Sequence, residues 1–67
     1  MQYIVMVHGK WIEWIPPVGL QDAIGKRATW IGAVTYGQTV VSGASEDTAQ
    51  QEAERAAYCA ALRVRYV

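Results

Sequence analysis

His8 and Cys59 are the chain's one histidine and one cysteine, the two side chains best suited to act as a base and a thiol nucleophile. Such a pair also needs a third group to orient the base and donors for the developing charge. The sequence marks neither. The reading adopted is a histidine in a turn and a small apolar residue at the edge of a helix face. Glu46, Asp47, Glu52 and Glu54 are the only clustered carboxylates. They fall where the first turns of a helix are expected, a usual place for acids, and no His or Cys joins them to make a metal set. No glycine pattern matches a phosphate-cradling loop. The expectation is therefore no catalytic residues, no metal and no cofactor: a protein that is not an enzyme.

The charges point the same way. Six basic and six acidic residues give a formal net charge of zero, whereas a nucleic-acid binder usually carries a basic excess. Lys10, Lys26 and Arg27 form one candidate basic edge for a nucleic-acid backbone, and the helix arginines a second. Arg55, Arg63 and Arg65 follow the helix, with Glu52 and Glu54 close to Arg55. A lone cysteine cannot form an internal disulfide or a four-cysteine zinc site, and it fits a reducing cytoplasm. The opening "MQYIVMV" is too short to span a membrane and lacks a basic leader. The chain is expected to be complete, cytoplasmic and free of membrane contact.

These side chains need elements to position them. At 67 residues the chain is one domain, 1–67, and a domain this small is marginally stable. "QYIVMV" is β-branched and aromatic and predicts a strand. His8-Gly9 predicts a tight turn into "WIEWI", with one long bent strand as the alternative. Pro16-Pro17 end the strand. Residues 16–28 have no clear period and are expected to be a loop. "TWIGAVTYGQTVVSG" predicts a second hairpin, Thr29 to Thr35 and Thr39 to Ser42 around Tyr36-Gly37. Gly32 inside the first of these strands points to close approach by the helix or to a bulge. A helix follows, with Asp47 as N-cap and Gln50 three residues on. Its face of Ala49, Ala53, Ala56, Ala57, Ala60 and Val64 is expected to lie on the sheet. The fold class is α+β: an antiparallel three- or four-stranded sheet with one C-terminal helix packed on one face.

One helix covers one face of a sheet, and this chain has aromatics to spare: three tryptophans and four tyrosines. Trp11 and Trp14 are three apart in a strand and so point to opposite faces. One of them, with Tyr58 and Leu62 on the outer helix face and Arg55 at the rim, is expected to form an exposed apolar patch. Such patches mark contacts with another protein or a second copy of the chain. Trp11, Trp14, Tyr58, Leu62 and Arg55 are therefore the candidate partner-binding residues.

From Trp30 to Leu62 the chain resembles the C-terminal half of the double-stranded-RNA-binding domain. "WIGAVTYGQTVVSG" resembles that family's hairpin, and Ala53, Ala56, Ala57, Ala60, Ala61 and Leu62 match the packing positions of its last helix. The resemblance implies a sheet-and-helix fold but not the RNA site. The family's phosphate-binding lysines correspond to Gln50 and Gln51, Glu46 and Asp47 would repel phosphate, and the N-terminal helix is missing. The element order is also similar to the arm-type DNA-binding domain of phage integrases and to HicB-like antitoxins, which bind a partner protein. Very short neutral domains of this kind resemble phage-encoded inhibitors such as anti-CRISPR proteins. The expected function is a small non-enzymatic protein that inhibits a larger host or defence complex by occluding its surface. The alternatives are a nucleic-acid-binding module using Lys10, Lys26 and Arg27, and a homodimeric structural protein.

Overall fold

The computed structural model describes residues 2–63. Five elements follow one another: β1 (Tyr3–Val7), β2 (Lys10–Trp14), α1 (Leu20–Ile24), α2 (Lys26–Val41) and α3 (Glu46–Leu62). The class is α+β, with a two-stranded antiparallel sheet and three helices.

The hairpin forms where the turn chemistry places it. His8 and Gly9 both take positive φ, 50° and 77°, as a two-residue type I′ connection requires. Tyr3 pairs with Trp14, Val5 with Ile12, Met6 with Trp11 and Val7 with Lys10. Alternation sends Val5, Ile12 and Trp14 inward and leaves Ile4, Met6, Trp11 and Glu13 outside.

The second hairpin does not exist. Residues expected to form it lie in α2, and Tyr36-Gly37 sits within a helical turn. The loop expected over 16–28 contains α1 and the start of α2, joined at Gly25. Among the described residues the sheet therefore has two strands, not three or four, and there are three helices, not one. The hairpin on which the likeness to the RNA-binding domain partly rested is a helix here.

Packing explains why helix wins over β-propensity in this segment. The buried residues of α2 are Ala28, Thr29, Gly32, Ala33 and Gly37, two rows spaced by four that present a nearly bare backbone. Close neighbours use both rows. A β-carbon on Gly32 would lie 2.9 Å from the Ala53 carbonyl oxygen, 3.0 Å from the Ala57 methyl and 3.1 Å from the Trp14 ring. One on Gly37 would lie 2.8 Å from Val5 and 2.9 Å from Val7. Thus α2 is the central element. It touches the hairpin, α1 and α3. The close approach inferred at Gly32 is real, but it joins helix to helix. The threonines of α2 turn their hydroxyls back onto the helix: Thr29 donates to Gly25 O (2.8 Å), Thr35 to Ile31 O (3.0 Å) and Thr39 to Thr35 O (2.7 Å). Thr29 is consequently buried without an unmet polar group.

In α3 the alanine face is as expected at Ala49, Ala53, Ala56 and Ala57, all buried. They pack on α2 rather than on the sheet: among the described residues no Cα of α3 comes within 8 Å of one in β1 or β2. Val64 and Arg65, which the sequence reading assigned to this helix and its end, lie outside the described residues. The N-cap is Ser45, not Asp47. The Ser45 hydroxyl accepts from the Thr48 N–H at 3.2 Å, and Glu46 and Asp47 occupy the first turn. Ser45→Ala is expected to cost about 1 kcal/mol and to lower Tm by roughly 5 °C in thermal unfolding followed by circular dichroism.

The core groups Val5, Trp14, Leu20, Ala33 and Ala53, with Tyr3, Val7, Ile12, Ile24, Val34 and Tyr36 packed around it. Trp30 is exposed on α2, with its ring centroid 6.2 Å from that of Tyr3.

Candidate protein-binding surface

The outer face of the hairpin is built by simple alternation. With Val5 and Trp14 committed to the core, Ile4, Met6, Trp11 and Glu13 must face the other way, and Ile15 continues their row. Ile4 is 49% exposed, Met6 54%, Ile15 64% and Trp11 69%. Trp11 stands directly across the ladder from Met6, and Ile4 across from Glu13. Glu13 is the one carboxylate on this face. Beyond Trp14 the patch runs into Ile15, Pro16, Pro17 and Val18, which border a shallow groove of about 270 Å3 with Gly19, Gln21 and Asp22.

The inner face fixes this arrangement. Trp14 is 2% exposed, so its place among the candidate partner-binding residues is corrected: it is a core residue. Its ring stacks on Tyr36 with centroids 6.2 Å apart, and its Nε1–H donates to Gln50 Oε1 at 2.8 Å. Gln50 in turn donates to Glu54 Oε2 at 3.0 Å. The first of the two glutamines at the lysine positions thus serves the fold. Directly across the ladder from Trp14, the Tyr3 hydroxyl donates to Gln21 Oε1.

The remaining partner-binding candidates sit on α3. Tyr58 and Leu62 are exposed, and Arg55 lies 3.8 Å from Glu52 in an i,i+3 ion pair. Among the described residues no Cα of α3 lies within 8 Å of one in the hairpin that carries Trp11. Ile4, Met6 and Ile15 were missed. Their signal is that "YIVMV" is apolar at every position, although a hairpin covered on one side needs only alternate apolar residues.

The chemical candidates are not gathered into a site. His8 is exposed in the hairpin turn, and Cys59 is half-buried on α3. Among the described residues no group of three His, Cys, Asp or Glu side chains is placed to hold a metal, and no helix is long and apolar enough to cross a membrane. Lys10 begins β2, while Lys26 and Arg27 occupy the first turn of α2, all exposed. Arg27 also borders an open groove of about 570 Å3 with Ile24, Ile31, Ala60 and Arg63. Arg65 lies outside the described residues. No protein family, curated protein or solved structure matches this chain.

Proposed function

We propose that this chain is a non-enzymatic protein-binding domain whose recognition surface is the outer face of the hairpin. One observation carries the reading. Ile4, Met6, Trp11 and Ile15, four large apolar side chains, are about half to two-thirds exposed on one continuous face, and no described element covers it. Exposed aromatics ringed by a few charges are the usual composition of an interaction hot spot. Trp11 is the anchor, Met6 and Ile4 flank it, and Glu13 is the charged residue on the same face. The action is steric: a small rigid domain seats this face on a larger protein and blocks its working surface, the role of an inhibitor of a host or defence assembly. Tyr58, Leu62 and Arg55 make a second, smaller surface on α3.

Trp11→Ala tests it. The substitution removes a cross-strand contact with Met6 and is expected to cost the fold less than about 1 kcal/mol in urea unfolding. Loss of a hot-spot tryptophan is expected to weaken partner binding by at least about 2 kcal/mol, roughly thirtyfold in Kd by calorimetry. Unchanged affinity with an intact fold removes the hairpin face as the anchor.

A further inference from the structure

The two edges of the hairpin are not alike. β2 runs Lys10-Trp11-Ile12-Glu13-Trp14 and meets Pro16-Pro17 two residues later. Charges and prolines of this kind protect a strand edge from pairing with another chain. β1, Tyr-Ile-Val-Met-Val, has no charge, proline, glycine or bulge, and among the described residues no element besides β2 pairs with its backbone. It is an unguarded edge.

The register says which groups that edge presents. Val7 and Lys10 flank a two-residue turn and exchange both hydrogen bonds, so Val5 and Tyr3 also bond toward β2. The N–H and C=O of Ile4 and Met6 therefore point away from the hairpin. The strand is also self-complementary. Turned about a twofold axis through Val5, Ile4 meets Met6 of a second copy, Met6 meets Ile4, Val5 meets Val5 and Tyr3 meets Val7. Every cross-strand pair is apolar, and no like charges face one another. A net charge of zero adds no repulsion between copies.

We propose that β1 pairs antiparallel with β1 of a second copy of this chain, about a twofold axis at Val5, joining two hairpins into one four-stranded sheet. The pair is isologous and closed, and the guarded β2 strands become the outer edges. The joined sheet carries Ile4, Met6 and Trp11 twice on one outer face. The inference rests on the backbone edge and on strand self-complementarity, not on the function of Trp11, so the two readings fail separately.

The test is amide hydrogen exchange by NMR, run beside sedimentation equilibrium from micromolar to millimolar protein. The amides of Ile4 and Met6 are expected to gain protection as concentration rises and the mass approaches that of a dimer. Trp11 and Glu13, on the free edge of β2, are expected to exchange freely throughout and serve as the internal standard. Ile4→Pro removes an outward N–H without touching the hairpin ladder and is expected to give a folded monomer. Ile4 and Met6 amides that exchange as fast as those of Trp11 and Glu13 at millimolar concentration overturn the proposal, whatever the mass. So does a folded Ile4→Pro protein that remains a dimer. The exchange measurement needs only the unmodified chain, so it decides the matter even if that variant fails to fold.

Discussion

Trp14→Ala unfolds most of the protein at ambient temperature. Trp14 is the largest side chain in a core otherwise made mainly of valine, leucine and alanine. Its ring reaches the three elements that must be held together: it belongs to β2, stacks on Tyr36 of α2, and donates to Gln50 of α3. Truncating a buried tryptophan costs about 3–5 kcal/mol. Stability scales at about 0.05–0.15 kcal/mol per residue, so a 67-residue domain holds roughly 3–10 kcal/mol in total. The loss is comparable to the whole. Urea unfolding of Trp14→Ala is expected to show little or no folded baseline, with near-ultraviolet circular dichroism collapsed. Trp14→Phe keeps most of the ring and loses only the donor to Gln50, so it is expected to fold with a lowered midpoint. A fully stable Trp14→Ala protein contradicts this packing.

Gly32→Ala is the second large effect, and its sign is the informative part. In an exposed helix interior this change stabilises by about 1 kcal/mol. Here the added methyl meets the Ala53 carbonyl oxygen at 2.9 Å, the Ala57 methyl at 3.0 Å and the Trp14 ring at 3.1 Å. The first of these is backbone and cannot rotate aside, so α3 must back away from α2. Overpacking of this kind costs about 1–3 kcal/mol, enough to reverse the propensity gain. Gly37→Ala would set a methyl 2.8 Å from Val5 Cγ2 and 2.9 Å from Val7 Cγ2, both on β-branched side chains stiff at χ1, and is expected to destabilise as well. A urea midpoint of Gly32→Ala below that of wild type supports the close helix contact. A Gly32→Ala protein more stable than wild type rules it out.

These two residues also show what the sequence discloses and what it hides. The hairpin is legible because turn chemistry and alternation are local: His8-Gly9 takes two positive φ values, and the three-residue step from Trp11 to Trp14 sends them to opposite faces. The same spacing shows that one tryptophan is exposed and one buried, but not which, since that depends on where α2 lies. α3 is legible from its acidic first turn and alanine stripe. α2 is not, because the properties that read as strand, namely Thr29, Trp30, Ile31, Val34, Thr35, Thr39, Val40 and Val41, are overridden by packing that local propensity does not contain. Gly32 looks like a weak point in a strand and Gly37 like a turn, yet Gly32 meets the α3 backbone at Ala53 and Gly37 meets the side chains of Val5 and Val7. Two cues were present. The small residues at 29, 33 and 37, and at 28 and 32, repeat every four positions. The structureless segment expected over 16–28 was also unusually long for so small a domain. The α3 candidates Tyr58, Leu62 and Arg55 were legible as an outward helix face. Ile4 and Met6 were legible too, since "YIVMV" is apolar on both faces of a strand covered on one, but the aromatics drew the reading to Trp11 instead.

The most direct test of the hairpin surface is quantitative affinity capture from the native cells with three baits: wild type, Trp11→Ala and Tyr58→Ala. The fold of each bait is checked first by circular dichroism. A partner retained by wild type and Tyr58→Ala but lost from Trp11→Ala is the predicted result and places recognition on the hairpin. A partner retained by Trp11→Ala and lost from Tyr58→Ala contradicts it and moves recognition to α3.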